Sequence, residues 1–238
     1  MRVTFRCLPE LDGILPKPIA ARRGLPDWLK AMPASARAEE FEAEVTTVKR
    51  CPPFVDAMSA GFLMTLPCDL AYADGCFEWD WRELPADLPS HTSRTPLAFH
   101  INAQLRGTPF YEEDTLAIKF MNLWTIETGP GVSLLVGHPF NRPELPFQTL
   151  TGLVDSDRYV DNYVHFPAIW TDRDFAGVLT KGTPVAQCIP VRRAELELAF
   201  EPLDDAAQAR LGTTQKEVVT PEGAYRRQFR AKKPRSGG

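Results

Sequence analysis

Two carboxylates, Asp155 and Asp157, lie two residues apart directly after the apolar run that begins at Gly152. In a turn, one such carboxylate accepts backbone N–H groups while the other faces a ligand or a water molecule. A carboxylate that faces water is suited to work as a general base. One of these two carboxylates is therefore a candidate for general-base work. Asx-turn chemistry alone explains the same two residues, so a purely structural role stays open.

Four short motifs carry a resemblance to a known superfamily. Residues 152–157 read Gly-Leu-Val-Asp-Ser-Asp and are followed by Tyr159, and residues 182–189 read Gly-Thr-Pro-Val-Ala-Gln-Cys-Ile. These two stretches resemble the third and fourth motifs of the dUTP pyrophosphatase and dCTP deaminase superfamily. Residues 56–62 resemble its first motif, and residues 130–142 occupy the place of the second. The order of all four motifs agrees with that superfamily.

This resemblance implies a β-clip domain, commonly a trimer, with sites between subunits. Asp155 would orient the attacking water, and a magnesium ion would arrive with the nucleoside triphosphate. The implied substrate-binding residues are Asn141, Arg142, Asp157, Tyr159 and Gln187. Among them, Tyr159 would lie against the deoxyribose, and Arg142 and Gln187 would reach the phosphates. A planar guanidinium suits that role because it can bond phosphate oxygens in pairs.

The chain also resembles a family of uncharacterised bacterial and phage proteins. The residues that carry this second resemblance are Pro-Asp-Trp-Leu at 26–29, Lys-Arg-Cys-Pro-Pro-Phe at 49–54 and His-Pro-Phe-Asn-Arg at 138–142. It implies no chemistry.

Three histidines support a second class of function. His100, His138 and His165 lie on or beside predicted strands, and imidazole is a common ligand of iron and other transition metals. The alternative hypothesis is therefore a metal-dependent β-barrel oxygenase. Each histidine also fits a role as a hydrogen-bonded packing residue.

A third class is a non-enzymatic assembly protein. Its proline-rich N-terminal arm would wrap around a neighbouring molecule, and a row of aromatic residues at Phe77, Trp79 and Trp81 would fill an interface. A polar pocket that unites Asp155, Arg142 and Gln187 would favour the hydrolase, converging histidines would favour the oxygenase, and neither is expected of a binding module.

Composition limits these classes further. The chain has 238 residues, of which 44% are hydrophobic and 24% charged, which is typical of a globular protein. No apolar stretch approaches the ~20 residues that span a bilayer, and the N-terminus has no apolar signal-peptide core. We therefore expect a cytoplasmic protein, and the five cysteines, odd in number and without a Cys-x-x-Cys pair, are expected to be buried thiols.

The net charge of −4 conceals a basic C-terminus. From residue 221 onward, six basic residues oppose the single acid Glu222. Such a tail can bind phosphates, but a solvated, flexible terminus explains it equally. We expect no nucleic-acid partner, and we expect a homo-oligomer.

The pattern of short apolar runs and the 22 prolines predicts a mainly β fold, a β-clip or a jelly-roll-like barrel or sandwich. We divide the chain into an extended arm (1–50), a β domain (51–211) and a basic tail (212–238). A hairpin is expected at Asp74-Gly75, and a short helix or a loop at 34–44. The predicted strands are 62–66, 99–106, 116–127, 132–136, 163–170, 175–179, 185–191 and 195–200. A late short helix is predicted over 203–211.

Overall fold

A computed structural model describes residues 1–219 and 225–231 of the chain. The described part is mainly β, as the sequence predicts, and its strand pairs are antiparallel. The strands are β1 (Val3–Arg6), β2 (Ile19–Ala20), β3 (Ser35–Ala38), β4 (Ala43–Thr46), β5 (Phe62–Thr65), β6 (Leu70–Ala73), β7 (Cys76–Trp79), β8 (Leu97–Phe99), β9 (Ala117–Phe120), β10 (Thr125–Thr128), β11 (Val132–Gly137), β12 (Phe147–Thr149), β13 (Gly152–Val154), β14 (Phe166–Trp170), β15 (Gly177–Leu179) and β16 (Pro184–Arg192).

Helices are few and mostly short. The α-helices are α1 (Asp27–Ala31), α2 (Pro52–Met58) and α3 (Asp205–Val219). Single turns of 3-10 helix occur at Pro9–Leu11, Ala21–Arg23, Glu39–Phe41, Val48–Arg50 and Asn102–Leu105, and a turn of π-helix at Tyr225–Phe229. Among the described residues, no helix is both long and apolar enough to cross a membrane.

The largest sheet has five strands in the order β13-β11-β16-β5-β2. A four-stranded sheet follows the order β12-β14-β9-β8, a three-stranded sheet the order β15-β6-β7, and two further pairs are β1-β10 and β3-β4. Within residues 1–219 and 225–231, none of these sheets closes into a barrel. The β-clip or jelly-roll arrangement stays a prediction.

The chain divides into two compact units. The first contains Met1–Pro26 and Met58–Arg193, and the second contains Asp27–Ala57 and the described residues from Ala194 onward. The predicted arm therefore contributes to both units. Within the first unit, β1 pairs with β10 and β2 pairs with β5, and Leu11 is fully buried in the core. The division into arm, domain and tail stays a prediction.

The core of the first unit lies against the inner faces of its sheets. In β14, Phe166, Ala168 and Trp170 are buried whereas the residues between them are half-buried, because side chains alternate across a strand. The ring centres of Trp170 and Tyr72 are 4.7 Å apart, and those of Phe120 and Phe147 are also 4.7 Å apart. Each fully buried side chain of this kind contributes about 1.5–3 kcal/mol to folding.

The Asp74-Gly75 hairpin is present as the sequence predicts. Both turn residues have positive φ, 51° and 79°, and the strands β6 and β7 pair from Ala73 and Cys76 outward. Positive φ at both central residues is the geometry that Asp-Gly favours.

Three predictions of local structure were wrong, and a fourth was right about a helix but not about its bounds. The alternating stretch 99–106 is not one strand, because β8 ends at Phe99 and a 3-10 turn follows at Asn102–Leu105. The stretch 116–127 is divided into β9 and β10. Residues 34–44 contain β3 and the start of the hairpin strand β4. The late helix α3 runs from Asp205 to Val219, well beyond the predicted end.

The structure also corrects one further predicted strand and the predicted burial of the cysteines. Residues 195–200 belong to no strand in the described chain. Of the five cysteines, Cys68 and Cys188 are buried, but Cys51 and Cys76 are exposed because they lie at the start of α2 and at the hairpin turn.

The predicted basic tail is described only in part. Residues 220–224 and 232–238, with the predicted basic residues Lys232, Lys233 and Arg235, lie outside the described residues. Inside the second unit, Arg230 donates hydrogen bonds from Nε (2.9 Å) and Nη2 (2.5 Å) to the two carboxylate oxygens of Asp56 in α2.

Candidate functional site

The four sequence motifs lie on neighbouring strands of one sheet. The first motif ends at the start of β5, the second contains β11, the third begins with β13 and most of the fourth lies in β16, in the spatial order β13-β11-β16-β5. The sheet therefore brings the motifs side by side, although they are spread over most of the chain.

The candidate site residues nevertheless form two groups at opposite ends of β11. Ser133, near the start of β11, pairs with Val191, and Gly137, at its end, pairs with Gln187. Gly137 is four residues further along the strand than Ser133, which corresponds to about 13 Å. Asp155 bonds to Ser133, whereas Arg142 lies beyond the far end of β11. A pocket uniting Asp155, Arg142 and Gln187 is not formed within the described residues of one chain.

The first group lies on a tight turn of residues 155–159, here called the Asp155 turn. The backbone carbonyl of Asp155 accepts hydrogen bonds from the N–H groups of Arg158 and Tyr159, both at 2.9 Å. Ser156 is fully buried and its hydroxyl lies 2.8 Å from that of Thr128. These bonds fix the turn on the end of the sheet.

Arg193 binds both carboxylates of this turn. Its Nη1 donates to Oδ1 of Asp155 at 3.0 Å and to Oδ1 of Asp157 at 2.9 Å, and its Nη2 donates to Oδ2 of Asp157. Ser133 adds a hydroxyl bond of 2.7 Å to Asp155, and the Gly131 N–H donates to Asp157 at 2.8 Å. We call Ser133, Asp155, Asp157 and Arg193 the carboxylate cluster.

The cluster keeps both carboxylates ionised. Arg193 first, and then the backbone N–H of Gly131, lower the pKa of Asp157 from 3.8 to about 2. The Ser133 hydroxyl is the largest cause that lowers the pKa of Asp155, and Arg193 adds to it while the charge of Asp157 opposes it. The two carboxylates in turn raise the pKa of Arg193.

Asp155 and Asp157 differ in how accessible their carboxylates are to a ligand. Asp157 is enclosed, with 8% of its side chain exposed, and both its oxygens are bonded. Asp155 is 56% exposed, and its Oδ2 accepts no hydrogen bond from the described residues. The ring of Tyr159, on the same turn, is also exposed. The turn thus presents an anchored, ionised hydrogen-bond acceptor beside an aromatic face.

The second group is held by backbone contacts. Asn141 has a positive φ of 55°, a conformation that asparagine tolerates in turns. The Arg142 side chain is largely buried, with Nη2 donating to the Gly24 carbonyl at 2.6 Å and Nη1 to Glu144 at 3.0 Å. In this position Arg142 connects the turn after β11 with the backbone at Gly24.

Gln187 bridges two loops from inside the sheet. Its side chain is buried, its Oε1 accepts the Phe140 N–H at 3.0 Å, and its Nε2 donates to the Ala60 carbonyl at 2.8 Å. The residue that the fourth motif points to is therefore a structural connection between the first and second motifs.

The three histidines have separate partners. His138 donates from Nε2 to the Arg142 carbonyl (3.2 Å) and accepts the Thr149 N–H at Nδ1 (3.3 Å). His165 accepts the Asn122 N–H at 3.1 Å, and burial lowers its pKa to about 4. His100 contacts Gln104 at 3.1 Å.

No metal centre is apparent in the part of the chain that the structure describes, since no three His, Cys, Asp or Glu side chains there form a group able to hold an ion. The oxygenase that depends on iron or another transition metal stays a prediction.

The chain matches no protein-family model and no curated protein. The site is therefore interpreted from its own geometry.

Sequence reasoning missed Arg193 and Ser133, the two residues that hold the Asp155 turn. A signal for Ser133 was present, because it is the one polar residue inside the apolar run 132–136 and is fully buried. A buried hydroxyl requires a hydrogen-bond partner. Arg193 follows Arg192 at the end of β16, and nothing in the local sequence distinguishes the two.

Proposed function

We propose that the chain binds a nucleoside triphosphate at the Asp155 turn, in a β-clip domain similar to that of dUTP pyrophosphatases and dCTP deaminases. The fold part of the proposal is supported by the adjacency of the four motif strands in one sheet. The function part rests on one observation. Asp155 is anchored through one oxygen and open at the other, beside the exposed ring of Tyr159.

Asp155 is suited to orient a hydroxyl group or a water molecule. Its ionised Oδ2 accepts a hydrogen bond from the ligand while Ser133 and Arg193 hold Oδ1 in place. Because its pKa is lowered, Asp155 is a weak proton acceptor at neutral pH. In hydrolysis, Asp155 positions the water that attacks the α-phosphorus, the bond to the leaving pyrophosphate breaks, and the proton of the water is released to solvent.

Tyr159 and Arg158 supply the other contacts of the turn. The exposed Tyr159 ring offers a flat apolar face for the sugar. The exposed side chain of Arg158, on the same turn, is a guanidinium that forms no hydrogen bond within the described residues. Such a group can bond phosphate oxygens in pairs. We assign the phosphate contact to Arg158, with magnesium carried by the triphosphate.

Arg142 and Gln187 have a different place in this proposal. Both are bonded to backbone within one chain, at the end of β11 remote from Asp155. Their predicted contact with phosphates requires a second copy of the chain to bring that end of the sheet to the Asp155 turn of the first, as the resemblance to a subunit-interface site implies.

A thermal-shift screen tests the proposal. The purified chain is melted with each common deoxynucleoside triphosphate, including dUTP, with and without magnesium. A ligand at about 100 times its Kd stabilises the folded state by about 2.7 kcal/mol and raises the Tm. We expect a nucleotide-specific shift that Arg158→Gln reduces and the control Arg192→Gln, at another exposed arginine, does not.

A positive screen is followed by an assay for pyrophosphate release. No shift with any nucleotide would contradict the proposal, and stoichiometric iron in the purified sample would favour the oxygenase.

A further inference from the structure

The segment of residues 195–201 has the pattern of a strand without a sheet. Leu196, Leu198 and Phe200 are 83%, 69% and 90% exposed. They alternate with Glu195 and Glu197, and Glu201 follows Phe200. In a strand, such alternation would place the three apolar side chains on one face and the acids on the other. Exposed apolar side chains in a contiguous row mark an interaction surface.

The backbone of this segment is also unpaired. Residues 194–202 belong to no helix or strand, and within the described chain their N–H and C=O groups form no hydrogen bond. A strand edge with free backbone groups and one apolar face is suited to add to the open edge of another sheet.

One open edge in the chain has the complementary pattern. The strand β1 pairs with β10 on one side only. Along it, Arg2, Thr4 and Arg6 alternate with Val3 and Phe5, and the last two are half-buried against the core. The polar face of β1 therefore carries two arginines, of which Arg6 also donates a hydrogen bond to Glu127 of β10, and its other face is apolar.

We propose that residues 195–201 add as a β-strand to the open edge of β1 in a second copy of this chain. In the antiparallel register that sets Glu197 opposite Arg6, Glu201 lies opposite Arg2, and Leu198 and Phe200 lie opposite Phe5 and Val3. Cross-strand pairs of opposite charge and of apolar side chains are those that stabilise antiparallel sheets. The second copy is the occupant because each chain carries both complementary halves and, within the described residues, leaves the backbone edge of each unpaired. This proposal does not depend on nucleotide binding.

Sedimentation of the full chain over a range of concentrations tests the proposal. We expect reversible self-association that Leu198→Asp weakens by about tenfold or more, where tenfold corresponds to 1.4 kcal/mol of binding free energy. The control Leu211→Asp replaces an exposed leucine of α3 and should leave association unchanged. A wild-type chain that stays monomeric, or equal weakening by the control, would overturn the proposal.

A charge exchange identifies the acceptor edge. The donor variant carries Glu197→Arg and Glu201→Arg, and the acceptor variant carries Arg2→Glu and Arg6→Glu. Each variant alone should associate poorly, because like charges then face each other. An equimolar mixture should associate again, since each strand then meets an edge of opposite charge. Melting curves verify that both variants are folded, and a mixture that stays dissociated would exclude β1 as the acceptor.

Discussion

Arg193 binds Asp157 through both of its Nη atoms. Arg193 follows the end of β16, and Asp157 lies on the turn after β13. The pair therefore joins two strands that are not neighbours, across the start of β11. Through the same guanidinium, Arg193 also contacts Asp155, so the position of the exposed carboxylate depends on the enclosed one.

Replacement of Arg193 by Gln should loosen the Asp155 turn. The enclosed carboxylate of Asp157 loses its counter-charge, so its pKa should rise toward 3.8 and the Tm should fall. NMR titration of the Asp157 side chain and thermal melting measure the two effects. The control is Arg192→Gln, which alters an exposed neighbour, and an unchanged pKa of Asp157 in Arg193→Gln would contradict this account of the cluster.

The cluster also predicts an acid-sensitive contribution to stability. The folded-state pKa of Asp157 is lowered to about 2. The contribution of its ionised carboxylate to the free energy of unfolding is therefore complete above pH 3.8 and is lost as the pH falls from 3.8 to about 2. Urea unfolding should therefore show a steeper loss of stability over this window in the wild type than in Asp157→Asn. Parallel pH profiles for the two proteins would be inconsistent with the ion pair.

A second pH effect should come from His165. Its pKa is lowered to about 4 by burial and by the charge of Lys119, whereas the unfolded chain takes up the proton near 6.5. The free energy of unfolding should thus fall as the pH drops from 6.5 to about 4. His165→Asn should flatten this decline, and His91→Asn, at an exposed histidine, should retain it. If both variants behave alike, another group is responsible.

Among the glycines that the structure describes, Gly61 is the least tolerant of a side chain. It has a φ of +69°, and a Cβ there would lie 2.0 Å from the Cys188 carbonyl oxygen. We expect Gly61→Ala to lower the free energy of unfolding by on the order of 3 kcal/mol, from about 1–2 for the left-handed backbone and about 1–3 for the steric overlap.

Gly13 provides the matched control for this substitution. Its φ is +85°, but no atom lies within 4 Å of the Cβ position. Gly13→Ala should therefore lose only the backbone part, about 1–2 kcal/mol. Equal losses in urea unfolding of the two variants would show that the contact with Cys188 contributes nothing.

Local chemistry predicted the mainly β character and the Asp74-Gly75 hairpin, because both depend on residue types a few positions apart. The stretch 99–106 shows where local pattern is insufficient. Its alternation fits a strand, yet among the described residues only the His100 N–H still bonds to β9 beyond Phe99, at the Ala117 carbonyl, and the chain then turns. Pairing partners are set by distant segments, which alternation does not reveal.

In the candidate site, too, local features could be predicted from the sequence, whereas contacts between distant residues could not. Asp155 and Asp157 could be found from sequence because a turn with two acidic residues is a local feature. Their partner Arg193 lies 36 residues from Asp157 in sequence, and only the sheet brings them together. Gln187 was selected from its motif, but its two backbone bonds depend on loops that no periodicity predicts.

The most direct test is a calorimetric titration of the nucleotide that gives the largest thermal shift into three proteins. Asp155→Asn keeps the shape of the side chain and removes its charge, while Asp161→Asn makes the same change at an exposed residue nearby. The account predicts binding to the wild type and to Asp161→Asn, and at least about tenfold weaker binding to Asp155→Asn, a loss of about 1.4 kcal/mol. Equal affinity in all three proteins would contradict a nucleotide site at the Asp155 turn.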